Sequence, residues 1–409
     1  MTNVVIIGGG ASGLVCAIEA AKNKNNHITI LERNSECAKK ILATGNGRCN
    51  YFNEDFTIDH YLTNTKAILE RVITPDNKQK VLSFFDNLGI VPKIRNGYYY
   101  PFSNQALTIK NALLRKINNS PNIEIINDFQ VTKVTNKDNK FFVSGDKKVK
   151  VTGDILVIAT GSFASPKSGS DGNGFDLLKD YGFRVVNTLP ALTALNADLA
   201  FAKDWQGVRC DVELSHYEDG ILIRKESGEI QLTKTGISGI CTFNISNRLI
   251  RGLNYHQEIV KINFLPFLKN ISTYELLEWF NNRNNLLNNP LLKDNLYALL
   301  NNKVVNVILD LLKAEKDSTW NSLTTAKKEK LVKLLTEFEI EINGYQDYEH
   351  AQATSGGISL EEVNIMTMES TYPNLYLLGE ILDVVGDCGG YNLGFAWLSG
   401  ILSGSKIGE

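Results

Sequence analysis

The sequence predicts an α/β fold whose main domain is assembled from both ends of the chain, with a β-rich and a helical region inserted between them. Three observations carry this. An apolar run at residues 4–7 passes at once into Gly8-Gly9-Gly10-Ala11-Ser12-Gly13. Helical spacing follows over 13–22, and a second apolar run at 27–31 ends on Glu32. The texture then changes after about residue 190, and from Thr354 the Gly-rich, apolar texture of the first region returns.

Length and composition bound the reading. The chain has 409 residues, of which 43% are hydrophobic and 22% charged, typical of a globular protein of two or three domains. The formal net charge is −2, which gives no reason to expect a nucleic acid or an anionic membrane as partner. Six scattered cysteines form no CxxC pair, and five histidines do not cluster with them. A zinc site and a disulfide framework are therefore not expected, and a reducing cytoplasm is. The first apolar run has no basic residue before it and is too short for a signal peptide. No stretch reaches the roughly 18 apolar residues of a membrane span.

Each element follows from its local pattern. Residues 4–7 read as a buried parallel strand, 13–22 as a helix and 27–31 as the next strand, one βαβ unit. Residues 64–90 read as helical through Ile68, Leu69, Val72, Val81, Leu82 and Phe85, and 107–117 as a further helix. Short strands are expected over 123–151, with an Asn/Asp/Lys turn at 136–140, then a buried strand at 154–159 closing on Thr160-Gly161. The predicted division places the main domain at 1–190 and 350–409, a β-rich subdomain at 191–270 and a helical one at 271–349.

The first glycine cluster carries a mechanism. GxGxxG sits directly after a strand and opens a helix. Gly8 allows the tight turn, Gly10 lets a pyrophosphate approach the backbone, and Gly13 lets helix and strand pack closely. The helix start offers free N–H groups and partial positive charge to phosphates. Glu32, at the end of the second strand, can accept hydrogen bonds from ribose hydroxyls and would repel a 2′-phosphate, so NADP is disfavoured in this site. This pattern alone does not separate FAD from NAD. Three later features favour FAD. The loop 39–50, KKILATGNGRCN, brings Lys40 and Arg48 within reach of a pyrophosphate. Thr160-Gly161 ends a buried strand. The stretch 375–392 reads as a strand, an acidic turn, a Gly-rich loop and a helix from about Leu393, whose amino end can face the flavin N1–C2=O edge.

These segments, with TKTGISG at 233–239 and TSGGIS at 354–359, resemble the bacterial flavoproteins labelled NAD(P)/FAD-dependent oxidoreductases, also called BaiN-type or aminoacetone-oxidase-like proteins. The resemblance covers nearly the whole chain. It implies a glutathione-reductase-type FAD-binding Rossmann fold with an inserted β-barrel-like subdomain and a small helical subdomain, and a non-covalent FAD. Carried over residue by residue, it implies FAD contacts from Gly8, Gly10, Ala11, Ser12, Gly13, Glu32, Arg33, Lys40, Thr44, Gly45, Gly47, Arg48 and Asn50. The backbone at Val131 would meet the adenine, and Thr160, Gly161, Glu380, Asp383, Gly390, Tyr391 and Asn392 would complete the site. Proteins of this kind often carry a His near the position of Lys234, and TGISG is expected to cap a helix at 238–249.

Flavin chemistry asks the protein chiefly for orientation, potential and access. Tyr391, Asp387, Cys388 and Lys234 are candidates for catalysis by motif position only, and a packed thiol is the simpler reading of Cys388. Only one dinucleotide fingerprint is present. The Gly172-Asn173-Gly174 loop lacks its context, so either a nicotinamide binds transiently at the flavin or a substrate reduces FAD and oxygen reoxidises it. The leading expectation is NAD(P)H-linked reduction of a small or steroid-like molecule. The alternatives are an O2-dependent amine oxidase that makes H2O2, of the aminoacetone-oxidase type, and an FAD-dependent RNA-modifying protein. The oligomeric state is open.

Overall fold

In the computed structural model, which describes residues 1–146, 150–268 and 271–409, the apolar run at the N-terminus forms β1 (Thr2–Ile7), followed by α1 (Ala11–Ala20) and β2 (Asn26–Leu31). Parts of the expected strand run at 147–149 and of the β-rich region at 269–270 lie outside the described residues. Val4, Val5 and Ile6 are buried on both faces of the sheet, which is why they read as a continuous apolar run rather than an alternating one. β1 pairs in parallel with β2 and with Ile155–Ile158, in the register Val4↔Ile28 and Val4↔Ile155. The last strand of the chain's apolar type, Leu375–Leu377, pairs in parallel with Ile155–Ile158. The sheet has seven strands, in the order Val363–Asn364, Glu369–Ser370, Leu375–Leu377, Ile155–Ile158, β1, β2, Ile123–Ile126.

The two chain ends are locked together by helix packing as well as by the sheet. The C-terminal helix Tyr391–Gly408 lies against α1. Its glycines are the contact: a Cβ on Gly400 would press on the Ser12 carbonyl, at 2.5 Å, and one on Gly404 would press on the Cys16 carbonyl, at 2.6 Å. Small residues here let two backbones approach as no larger residue could.

The helical expectation over 64–90 needs correction. The structure holds two helices, Lys66–Glu70 and Pro75–Asn87. Proline has no N–H to donate and its ring excludes the preceding turn, so Pro75 starts a helix instead of continuing one. Thr74 caps it by accepting from the Asn77 N–H at 3.3 Å. The other helix of this region spans Ala106–Asn118.

Two compact units divide the chain: residues 1–191 with 348–409, and residues 192–347. The second is built on a seven-stranded antiparallel sheet, in the order Phe338–Glu341, Glu258–Asn263, Arg209–Glu218, Ile221–Thr233, Gly236–Ser238, Leu195–Asn196, Gly344–Tyr345. Helices Thr273–Leu286, Leu292–Tyr297, Asn302–Leu312 and Thr325–Thr336 precede the Phe338–Glu341 strand in sequence. Ser272 and Glu275 close a reciprocal capping box on the first of them, each satisfying a backbone N–H that the helix leaves free. The TGISG stretch caps a helix through its last residue, Gly239, with the helix starting two residues later than expected. Gly236–Ser238 is a strand paired with Gln231–Thr233, and the helix that follows is Ile240–Gly252. Among the described residues, no helix is long and apolar enough to cross a membrane.

Gly13 carries the tightest part of the first unit. A Cβ there would collide with the Gly8 carbonyl and reach the Ala159 side chain at 3.2 Å. Gly13→Ala is expected to unfold the first unit or to give insoluble protein, because both obstacles belong to the packed sheet and cannot yield. Thermal melts and soluble yield beside wild type check this.

Candidate functional site

The turn after β1 is held by backbone geometry. Gly8 adopts φ +107°, a conformation that suits glycine alone, while its N–H donates to the Leu31 carbonyl at 2.9 Å. Gly10 is the N-cap of α1, with φ −86°, and its carbonyl accepts the first helical bond, from the Leu14 N–H at 3.1 Å. The amides of Ala11, Ser12 and Gly13 therefore have no acceptor within the helix and point out of its amino end. A Cβ added at Gly8, Gly9 or Gly13 would strike protein atoms, whereas at Gly10 it would meet nothing within 4 Å. The space in front of α1 is open to atoms from outside the chain.

That space belongs to a cleft enclosing about 1320 Å³, part of it open to solvent. It runs past the carboxyl ends of three parallel strands, at Ile7, Leu31 and Ala159, and on to Glu380 beyond Leu375–Leu377. Ligands of open α/β sheets bind on this side. Of the residues expected at the site, Gly8, Gly10, Ala11, Ser12, Glu32, Arg33, Lys40, Thr44, Val131, Thr160, Gly161, Glu380 and Asn392 line the cleft. The sequence reading did not single out Asn34, Phe129, Gln130, Ser168, Ser170 or Gln352, which also line it. Only the Asp171–Gly174 stretch left a mark in the sequence, as a glycine loop without a fingerprint. Asp171 and Asn173 face the same cleft as the first motif.

Most charges of the cleft are paired. The Glu32 carboxylate, 7% exposed, accepts from the Gly9 N–H (2.8 Å), the Asn34 N–H (2.7 Å) and the Asn34 side-chain amide (2.7 Å). It is thereby fixed at the strand end. Lys40 Nζ donates to Glu380 Oε2 at 2.7 Å and to the Ala164 carbonyl at 3.2 Å, and Glu380 Oε1 accepts from the Thr354 N–H at 2.9 Å. Arg33 pairs with Asp171 at 2.5 Å, and this partner and hydrogen bonding hold the Asp171 carboxyl below the usual range against its partial burial. Two of the three cations of the lining, Arg33 and Lys40, are matched before any ligand arrives, which leaves Lys39 and the helix amides to meet a diphosphate.

Other expected residues stand apart from the cleft lining. The turn Thr44–Gly47 passes through left-handed conformations at Gly45 and Asn46, with φ 56° and 53°, and Arg48 emerges exposed. Gly45, Gly47 and Arg48 are therefore not part of the lining. Gly13 is behind it, against the sheet. Asp383 is fully buried and its carboxylate accepts from the Asn64 N–H (2.9 Å) and the Thr63 hydroxyl (3.3 Å), a structural tie to the start of the Lys66–Glu70 helix. Asn50 Oδ1 is buried without a hydrogen-bond partner among the described residues, and a Cβ on Gly390 would lie 3.0 Å from it. Lys234 is exposed, in the two-residue turn between strands of the second unit.

The loop 386–392 is stapled from four directions. Asn392 closes it as a ring, accepting from the Gly386 N–H and donating to the Gly386 carbonyl, both at 2.8 Å. Asn53 donates to the Gly389 carbonyl at 2.9 Å, and the Tyr61 hydroxyl to the Tyr391 carbonyl at 3.0 Å. Tyr391 is buried and its ring lies flat on His60, with centroids 4.3 Å apart and planes at 17°. His60 Nδ1 is 3.1 Å from the buried Asp387 carboxylate and Nε2 is 2.9 Å from that of Asp55. Sequence reasoning missed His60, whose partner Asp387 is 327 residues away. Cys388 is half-buried, its sulfur 3.9 Å from Gln352 Oε1. Burial pushes the thiols of Cys16, Cys37, Cys49 and Cys241 up to about 12, which keeps them protonated and unreactive.

A parallel sheet, a glycine turn on a helix start, a carboxylate at the end of the second strand and a long cleft across the strand ends define a Rossmann-type dinucleotide-binding protein. The room at Gly10 and the unpaired helix amides fit a dinucleotide such as FAD. The chain belongs to the family described as HI0933-like protein Rossmann domain, which matches residues 2–406. It is 33% identical to the 3-dehydro-bile acid delta(4,6)-reductase of Clostridium scindens, over 100% of both chains. It is 26% identical to the ribosomal RNA dihydrouridine synthase of Escherichia coli, over 97% of this chain and 96% of that one. A solved structure of E. coli quinol fumarate reductase FrdA shares the fold, with TM-score 0.50 and 14% identity over 99% of this chain and 69% of that one. The chain is an FAD-dependent oxidoreductase of this family.

Proposed function

We propose that this chain reduces a carbon–carbon double bond conjugated to a carbonyl in a small, steroid-like molecule, with NADH or NADPH as the source of electrons. The supporting observation is a shared chemistry. A delta(4,6)-reductase acting on a 3-dehydro substrate and a dihydrouridine synthase both denote saturation of a C=C bond that a carbonyl activates. FAD, once reduced by NADH or NADPH, would supply the hydride for such a reaction. The β-carbon of the substrate gains that hydride, the α-carbon gains a proton, and the carbonyl oxygen carries negative charge between the two events.

The chain's own residues do the rest. The amides of Ala11 to Gly13 would hold the pyrophosphate and Glu32 the ribose of the adenosine half. Glu380, fixed by Lys40 and by the Thr354 N–H, would face the ribityl chain. Asn392, in the first turn of the last helix, would stand with that helix's amino end beside the flavin, where partial positive charge favours the reduced state by about 0.3–2 kcal/mol. The loop at Asp171 and Asn173 opens on the same cleft, and a nicotinamide would enter by the substrate's route.

The test is spectroscopic. Purified protein is expected to show a flavin absorbance that NADH or NADPH bleaches without oxygen, and that a Δ4 or Δ4,6 3-oxo steroid restores, still without oxygen. Restoration by oxygen alone, with H2O2 formed and a primary amine as the better reductant, would establish the amine-oxidase reading instead. Restoration by unmodified ribosomal RNA and by no steroid would establish the RNA reading.

A further inference from the structure

The His60 network lies just behind the Asn392 end of the cleft, and the proposed reaction makes no use of it. Three elements meet there. The residues Asn53 to His60 supply Asp55 and the imidazole. The short antiparallel pairing of Tyr61–Leu62 with Val385–Gly386 brings Asp387 to Nδ1. The start of the last helix lays Tyr391 against the ring face. The Asp387 N–H also donates to the His60 carbonyl at 2.9 Å, so both main chain and side chain tie the two residues. Asp387 is 4% exposed and Asp55 lies largely in solvent.

We propose that His60 is a positioning residue for the flavin site, holding the glycine loop through Asp387 and Tyr391 and coupling the electron affinity of the bound flavin to pH through its own charge. The proposal rests on FAD occupying the cleft. A histidine that served packing alone would not need a carboxylate on each nitrogen. Here one of the two, Asp387, is buried, with the imidazole Nδ1 3.1 Å from its carboxylate.

The groups facing His60 set the direction of its titration. Its hydrogen bond to the Asp387 carboxylate raises its pKa, partial burial opposes this, and the bond to Asp55 raises it further. Tyr391 and Tyr61 face the same space, and burial holds the Tyr61 phenol protonated. Lys78 acts on Asp55 from the helix Pro75–Asn87. With His60 charged, Asp55, Asp387 and His60 together carry −1; once it loses its proton they carry −2. Reduction of a flavin adds negative charge at the amino end of the neighbouring helix. That charge is better tolerated in the first state, so reduction and protonation of His60 favour each other reciprocally.

The experiment measures the reduction potential of the bound flavin across pH in the holoprotein, for wild type, His60→Gln and Asp55→Asn. Wild type is expected to show an added downward segment where His60 loses its proton. In H60Q the segment disappears. In D55N, where one carboxylate is gone and the glycine loop is untouched, it moves to lower pH. Coincident potential–pH curves for folded, flavin-loaded wild type and D55N overturn the proposal, whether or not H60Q folds. If none of the proteins takes up FAD, the failure lies with the cofactor reading and is seen directly as the missing flavin spectrum.

Discussion

Replacing Gly10 with valine is expected to give a folded protein that is purified colourless. In the free chain a Cβ at this position meets nothing within 4 Å. The backbone there is extended, with φ −86° and ψ −164°, which a β-branched residue adopts readily. Valine is a poor N-cap, at a cost of about 1 kcal/mol, small beside the roughly 5–15 kcal/mol that holds a domain folded. The ligand meets a different situation. A pyrophosphate that reaches the amides of Ala11 to Gly13 must pass through the space the two new methyl groups would fill. Each charge-assisted hydrogen bond lost costs about 1.5–3 kcal/mol. Two of them would lower the affinity roughly a hundredfold to ten-thousandfold. The flavin-to-protein absorbance ratio and a fluorescence titration with FAD measure this, with circular dichroism and a melt as controls for folding. A yellow Gly10→Val protein of wild-type affinity would sink the placement of the diphosphate. Gly13→Ala, three residues on, is expected to fail for the opposite reason, since its obstacle is the protein itself.

The difference between these two glycines marks what was legible in the sequence. The order strand, glycines, helix, strand, acid is local, and the physics that enforces it acts over 30 residues; β1, α1, β2 and Glu32 could be read directly. The pairing of β1 with Ile155–Ile158 and the seating of Gly400 and Gly404 on α1 join residues far apart in sequence, and no local pattern encodes such a register. The break at Pro75 was written in the chain, but the apolar spacing on either side continues across it and masked the proline. Arg48 and Asp383 show a further limit. Both residue types suit the chemistry expected of them. Yet the left-handed turn at Gly45 and Asn46 carries Arg48 out to solvent, and the loop at Thr63 and Asn64 claims the Asp383 carboxylate. Residue type tells what a side chain can do, whereas the backbone decides where it stands. His60 could not have been found at all without the fold, because an isolated histidine in a polar segment looks the same whether or not two carboxylates await it.

Glu258→Ala is expected to destabilise the second unit by about 1–3 kcal/mol, the cost of a buried polar group left unpaired, while Glu258→Gln stays within about 1 kcal/mol of wild type. Glu258 and His216 lie on neighbouring antiparallel strands, each side chain 1% exposed, with Oε2 and Nε2 2.5 Å apart. Burial drives them in opposite directions: it lowers the His216 pKa and raises that of Glu258, with Glu218 adding to the rise. The pair therefore keeps a single proton and stays uncharged, the carboxyl O–H donating to the imidazole nitrogen. Among the described residues, His216 Nδ1 and Glu258 Oε1 find no further partner, so the bond between them is what offsets the cost of burying both. Alanine removes it and leaves a void beside an imidazole nitrogen with no donor, whereas the glutamine amide can still donate. The pH dependence follows from the same shifts. An unfolded glutamate loses its proton near pH 4.3, while folded Glu258 holds its own to higher pH. Its contribution is thus fully present below about pH 4 and is lost as pH rises through the folded value. His216 acts at the other end: its folded pKa is depressed, so stability falls as pH drops below about 6.5, where the unfolded histidine takes up a proton. Urea melts followed by tryptophan fluorescence, with Trp205 buried in this unit, are expected to lose the rising-pH decline in Glu258→Gln and to keep the acid-side decline. If alanine and glutamine proved equally damaging, or the decline with rising pH survived in Glu258→Gln, the shared proton would be the wrong account of this pair.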